Sequence, residues 1–400
     1  MKIDFTTYMN KYTKAEEKEA YSDKVLKIKE RFNNDLSYWN KKESFISDEE
    51  LIRILEVSSY IKETCDVLIV IGIGGSYMGA KAVIEALLPI YNRKTPEIIF
   101  LGTNLTSGEY SETIEYIKNK SIAVNVISKS GNTLEPSIAF NLIMDIMETK
   151  YNSEELMKRV IITTDKENGS LRKLATDKGY ISFEVPRLIG GRYSVLTPVG
   201  LLPISVAGID IKDLLNGIDN VKEYEDSIYE YAIIRDILYK KNKFIESYTI
   251  YNGKLNYFAE WLKQLFAETQ GKDGKGILPI SNINTRDLHS LGQFLQEGKD
   301  IIFETVIGIE EDKDIKLNNY NMTLNELNKV ALRQVAKAHN NGYTPSNIIY
   351  IEALDEKNIG EMIHFFILSA IIGGLLLEIN PFDQPGVEEY KKLINEELVK

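Results

Sequence analysis

Three loops hold the residues whose types and spacing suit chemistry: GIGGSYMGAK (72–81), SKSGNTLEPS (128–137) and GGRYSVLTPVG (190–200). The first follows an apolar run and opens a helical pattern. A dinucleotide fingerprint would need glycine where Tyr77 stands, and a P-loop would need lysine where Ala80 stands, one place before Lys81. What remains is a glycine turn that brings backbone N–H groups and the Ser76 hydroxyl to a helix start, an arrangement suited to a small anion. A tight strand-to-helix turn without a ligand accounts for the same residues. The second loop offers the hydroxyls of Ser128, Ser130 and Thr133, with Lys129 and Gly131, ahead of a helix whose first turn carries Pro136, where a missing N–H costs nothing. Hydroxyls and helix-end amides without a Walker lysine fit a sugar phosphate monoester better than a triphosphate with magnesium. Capping alone explains Thr133 or Asn132. In the third loop Arg192 is a permanent cation with a planar donor fork suited to an oxyanion, while a surface arginine in a glycine turn is the commoner case.

These loops need a frame to hold them. The runs DVLIVIG (66–72), EIIFLG (97–102), SIAVNVIS (121–128) and RVIITT (159–164) alternate with helix-length amphipathic segments. Near-continuous apolar strands in that rhythm predict a parallel sheet buried on both faces by crossover helices, an α/β fold. A doubly wound domain is expected over residues 51–208, and its ligand-binding loops are those at the carboxyl ends of strands. Helical patterns continue to about residue 242. Strand-like runs then return at SYTIYN (247–252), GILPIS (276–281), IIFETVI (301–307) and SNIIYIE (346–352), predicting a second α/β domain over 209–378. FFILSAIIGGLLL (365–377) is shorter than the roughly 20 residues of a membrane span. With two glycines, it reads as a buried helix.

Composition narrows the function classes. The chain has 400 residues, 44% hydrophobic and 27% charged, enough for a large core. With 48 Lys+Arg against 59 Asp+Glu, its net charge of −11 argues against a nucleic-acid partner and leaves room for a local basic pocket. One cysteine, Cys65, and three scattered histidines, His289, His339 and His364, make no cluster at zinc spacing, so metal-free chemistry is expected. The segment MKIDFTTYMNKY lacks an apolar signal region, which points to the cytoplasm and away from secretion or a membrane.

Taken in order, VIGIGGSYMGAK, SKSGNTLEP, GGRYSVLTPVGLLP, FAETQGKDGKGILP, TRDLHSLGQFLQEG and NPFDQPGVEEYKK span residues 70–392 and resemble the motif series of the glucose-6-phosphate isomerase family, particularly its shorter bacterial form. The resemblance implies two doubly wound domains of sugar-isomerase (SIS) type with mainly parallel sheets flanked by helices. Residues 1–50 would form a helical segment packing on the second domain, and 379–400 a terminal segment carrying a catalytic lysine. The implied reaction is reversible isomerisation of glucose 6-phosphate to fructose 6-phosphate, by ring opening and enediol proton transfer, in glycolysis and gluconeogenesis. Such chemistry needs a base, ring-opening donors and a cation near the enediolate oxygens. By resemblance Glu268 is the proton-transferring carboxylate, His289 and Lys391 the ring-opening pair, and Arg192 the enediolate cation. Gly75, Ser76, Ser128, Lys129, Ser130 and Thr133 match the phosphate pocket, and Gln264 and Gln384 line the sugar. The family implies no cofactor or metal, and a homodimer in which the matching histidine reaches across from the partner subunit. Two other readings stay open: a non-catalytic SIS sugar-phosphate sensor, which has no need of Glu268, His289 and Lys391 together, and a related isomerase that also accepts mannose 6-phosphate.

Overall fold

A computed structural model describes residues 1–398 apart from Asn10, Thr95, Ser130 and Asn132, and apart from the side chain of Asn395. Among the described residues the strands are β1 (Lys2–Asp4), β2 (Val67–Ile71), β3 (Glu97–Leu101), β4 (Ile122–Ile127), β5 (Val160–Thr164), β6 (Ile181–Glu184), β7 (Ile245–Ile250), β8 (Leu278–Ile283), β9 (Ile302–Glu311) and β10 (Ser346–Ala353). They make two five-stranded sheets. Each belongs to its own compact unit, one of residues 40–219 with 355–360, the other of 1–39, 220–354 and 361–400.

In the 40–219 unit the strand order is β3-β2-β4-β5-β6, and every pairing is parallel. All positions of β2, β4 and β5 are buried, as strands covered on both faces must be. Val67, Ile69 and Ile71 pack with Val124, Val126 and Ile162, and with Phe140, Ile143 and Met147 of the helix Leu134–Lys150. Connections leave β2 toward β3 on one side and reach β4 on the other, so the strand order reverses between β2 and β4. Ligand crevices of open α/β sheets lie at such a reversal, outside the carboxyl ends of the strands. The loops that emerge there begin at residues 72 and 128. Strand β6, ISFE, escapes a reading of apolar runs because it is short and only half buried at the sheet edge.

The other unit orders its strands β1-β10-β9-β7-β8, with β1 antiparallel to β10 and the rest parallel. Strand β7 starts two residues before the apolar run that marks it, because Glu246 is buried with partners. Its carboxylate accepts from Arg235 Nε at 2.7 Å and from Tyr231 Oη at 2.6 Å. The apolar run 365–377 lies in a longer helix, Glu356–Leu376. At 21 residues this helix is long and apolar enough to cross a membrane, yet 94% of its most apolar window is buried inside the protein. Phe365 and Phe366 pack at 5.3 Å between ring centroids and against Tyr231. It is a core helix.

Candidate active site

Within the 40–219 unit, three loops carry the candidate anion site. The first makes a 3-10 turn, Gly74–Ser76, and runs into the helix Met78–Leu87. Gly75 is there for a packing reason. A Cβ at this position would lie 2.1 Å from the carbonyl carbon and oxygen of Gly191 and 2.6 Å from the Arg192 nitrogen. The backbones of the first and third loops therefore touch, and the glycine turn anchors Arg192 relative to Ser76.

The third loop is a 3-10 segment, Gly191–Leu196, in which Arg192 through Leu196 are all buried. Thr197 ends it. Its hydroxyl donates to Ser194 O at 2.7 Å and accepts from Val199 N at 3.3 Å, capping the helix Pro198–Val206 with proline at its first turn. Arg192 is 2% exposed, with its guanidinium carbon 4.8 Å from the centre of the Tyr193 ring. The surface-arginine alternative falls on that burial. A guanidinium withdrawn from water and braced on an aromatic face has lost rotamer freedom already and can hold one orientation toward an anion.

The second loop leaves β4 at Ser128, which is buried. Ser128 Oγ accepts from Gly131 N at 3.1 Å and lies 3.3 Å from Thr133 Oγ1. Gly131 takes φ +74°, the left-handed region that glycine enters without penalty. Thr133 precedes the helix Leu134–Lys150 in an extended conformation, but its side chain makes no cap bond. Capping therefore does not explain Thr133, and its hydroxyl is held beside Ser128 instead. Ser128, Gly131, Thr133, Pro136, Ser137 and Ser170 border a cavity of about 310 Å³. Ser130, a predicted phosphate ligand, lies outside the described residues, as does Asn132. Lys129, which matches the phosphate pocket by resemblance, has its Nζ donating to the Arg187 carbonyl at 2.8 Å and lying 3.5 Å from those of Pro186 and Ile189. Burial of that ammonium, with Arg187 nearby, lowers its pKa from the ordinary lysine value. Lys129 ties the second loop to the segment that leads into the third.

The other unit holds the remaining candidates. Glu268 sits in the last turn of the helix Asn256–Gln270. The core face of that helix is Phe258, Trp261, Leu262, Leu265, Phe266 and Thr269. Glu260, Gln264 and Glu268, four residues apart, form a second stripe that is only half buried. Gln264 Nε2 lies 3.4 Å from Glu268 Oε2, a long contact, while Gln264 Oε1 is buried without a protein partner among the described residues. An acceptor so placed suits a hydroxyl-bearing ligand.

His289 ends a 3-10 turn, Arg286–His289, just after β8, and is exposed. Asp287 holds the turn. Its carboxylate accepts from Ile283 N and from Arg286 Nε, each at 2.8 Å, and the Arg286 bonds lower its pKa from the ordinary aspartate value. Lys391 lies on the helix Glu388–Leu398 and is exposed, its Nζ 2.8 Å from Glu388 Oε1. Gln384 precedes the turn Pro385–Val387 and is exposed as well.

One tethering residue lies within the motif FAETQGKDGKGILP with no role assigned to it by the sequence. Lys272, four residues after Glu268, donates to the Asn380 carbonyl at 2.6 Å and pairs with the Asp383 carboxylate at 2.8 Å. Asn380 Nδ2 also donates to Asp383 at 2.9 Å, and Phe382 stacks on Trp39 at 5.9 Å. FAETQGK and NPFDQPG, remote in sequence, are thus tied together, which fixes the chain next to Gln384. Only the lysine within a glycine-rich turn hinted at it.

Comparison with known proteins gives this arrangement its context. The family model described as phosphoglucose isomerase matches residues 39–399. A glucose-6-phosphate isomerase of Staphylococcus saprophyticus is 48% identical over 366 residues, covering 86% of this chain and 82% of that one. Among solved structures, a protein of Thermus thermophilus described as hypothetical superposes with a TM-score of 0.88 at 22% identity, covering 100% of both chains. A glucose-6-phosphate isomerase from Chlamydia trachomatis does so with a TM-score of 0.77 at 21% identity, over 88% of this chain and 73% of that one. Both share the fold. By the family match and the identity to its bacterial relatives, the chain belongs to the phosphoglucose isomerase family.

Proposed function

We infer that the protein is a glucose-6-phosphate isomerase, a soluble metabolic enzyme that interconverts glucose 6-phosphate and fructose 6-phosphate. The observation that carries this is 48% identity to a glucose-6-phosphate isomerase across 86% of the chain. The sensor alternative is not favoured, since relatives at this identity carry the enzyme's name. Glycolysis and gluconeogenesis follow from the reaction, and the cytoplasm is the compartment that suits it.

The roles proposed for the side chains follow the chemistry. Ser76, Ser128, Ser130 and Thr133, with the amides of the first and second loops, bind the phosphate monoester, and Gly75 gives the first loop its close approach to the third. Lys129 shapes this pocket through the 186–189 carbonyls. His289 and Lys391 assist ring opening, one taking the O1 proton and the other protonating the ring oxygen. The Glu268 carboxylate then takes the proton from C2 of the open aldose, and the electron pair of that C–H bond becomes the C1–C2 double bond of an enediolate. Arg192 faces the charge that develops on oxygen. The O2 hydroxyl proton passes to O1, protonated Glu268 returns its proton to C1, and the C2 oxygen is left as the ketose carbonyl. A positioned general base contributes about 10²–10⁴-fold, and a charge-matched donor toward an oxyanion about 10²–10³-fold. Gln264 and Gln384 line the sugar hydroxyls, and the free acceptor of Gln264 supports that role.

We further propose a homodimer in which His289 serves the substrate of the partner subunit. Its exposed position, beside exposed Leu291 and Phe294, supports this. The direct test of function is purified protein incubated with glucose 6-phosphate while fructose 6-phosphate is measured. Steady formation to a reversible equilibrium is expected, and the reading fails without product. Mannose 6-phosphate in the same assay decides whether either C2 epimer is accepted.

A further inference from the structure

We propose that Gln270, held by the buried pair Arg235–Glu246, is a positioning residue for the proton-transferring carboxylate of Glu268; this rests on the role assigned to Glu268 above. Glu268 lies in the last helical turn, where the intrahelical hydrogen bonds run out and helices fray. A base that must meet two adjacent carbons needs a rigid support. At about 100° per residue, Gln270 projects from the side of the helix nearly opposite Glu268. It points into the core and is 1% exposed.

Its amide is held at both ends. Oε1 accepts from Arg235 Nη1 at 2.6 Å, and Nε2 donates to the Ala370 carbonyl at 3.0 Å. Arg235 is itself held: its Nε donates to Glu246 Oε2 at 2.7 Å, and its guanidinium carbon stands 4.2 Å from the Phe266 ring centre. Glu246 also accepts from Tyr231 at 2.6 Å, Thr305 at 2.7 Å and Tyr248 at 3.0 Å. The fit around the amide is close, since a Cβ on Gly373 would lie 2.4 Å from Gln270 Nε2. A buried ion pair is a weak way to gain stability relative to apolar side chains of similar volume; here it fixes geometry through Arg235 Nε and Nη1, which are both bonded, while Nη2 is buried without a partner among the described residues. The chain from Glu246 through Arg235 to Gln270 ends two residues from Glu268, and its clearest effect there is to keep the last turn wound.

Two variants test this in the intact enzyme. Gln270→Met keeps length and loses both hydrogen bonds, while Gly373→Ala pushes the amide aside without removing it. Turnover of glucose 6-phosphate in D₂O gives kcat, KM and the ratio of solvent deuterium to transferred hydrogen at C1 of fructose 6-phosphate. Both variants are expected to lower kcat by about tenfold or less while leaving KM within about twofold, as loss of transition-state positioning does. The deuterium ratio should rise, because a displaced carboxylate returns its proton less directly. A role confined to folding would reduce the amount of active enzyme and leave the ratio unmoved. A parental ratio and kcat in Gly373→Ala, or in folded Gln270→Met, overturns the inference while an inactive Glu268→Gln leaves the catalytic reading standing. Parental turnover in Glu268→Gln overturns both.

Discussion

A hydroxyl that binds an unreacting phosphate is felt in the ground state and in the transition state alike. Thr133→Ala should therefore raise KM for glucose 6-phosphate by about tenfold, the effect of one hydrogen bond to a charged group, and leave kcat within a few-fold. Steady-state kinetics would show the reverse pattern if Thr133 acted on the chemistry. Lys129 should behave differently from its neighbours. Because its ammonium is spent on the carbonyls of Pro186, Arg187 and Ile189, Lys129→Met is expected to lower the melting temperature and change KM by less than about threefold, a tethering effect. A KM rise matching that of Thr133→Ala would assign Lys129 to the phosphate. Single residues were hard to read in isolation. Glu268 is a half-buried acid at a helix end, and Lys391 an exposed lysine on an amphipathic helix. The order of six motifs singled them out, whereas Gln270 and Lys272 depend on partners about 35 and 110 residues away. No local pattern encodes those.

At the scale of elements, the anion site depends on two turns pressed together. Gly75→Ala would place a methyl group 2.1 Å from backbone atoms of exposed Gly191 and 2.6 Å from Arg192 N, where the buried run Arg192–Leu196 begins. The 190–196 turn must shift, and Arg192 with it. Overpacking of this kind costs about 1–3 kcal/mol. Denaturant unfolding should show such a loss, together with a fall in kcat/KM. Parental stability and activity would mean that the turns do not constrain one another. The strands that position these loops were legible because β2, β4 and β5 are buried on both faces and so read as unbroken apolar runs. Strand β1 is three residues long and β6 is a half-buried edge. Both lack the hydrophobic signal that burial on two faces imposes. The early start of β7 was hidden by Glu246, a charge whose partners lie on other elements.

For the whole molecule, binding and folding are linked. A sugar-alcohol 6-phosphate, which has no carbonyl to isomerise, should bind the folded enzyme only and raise its unfolding free energy by about 2.7 kcal/mol at a hundredfold excess over Kd. Thermal unfolding with and without it should show that shift in the parent protein. A melting temperature indifferent to the ligand would contradict a built phosphate site. Assembly has its own test. Mixed refolding of Glu268→Gln and His289→Ala chains should restore activity at one of the two sites of each hybrid dimer if His289 crosses to the partner, and none if it does not. The central claim is that Glu268 moves the proton between C2 and C1, and the measurement that tests it most directly is turnover of glucose 6-phosphate by Glu268→Gln, with hydrogen exchange at C2 followed in D₂O. The amide keeps the shape of the carboxylate and cannot accept a carbon-bound proton. The expected result is a folded protein with nearly parental affinity, kcat lower by at least ~10²–10⁴-fold, and exchange at C2 lost with it. Turnover within a few-fold of the parent would contradict the account, because the base would then lie elsewhere.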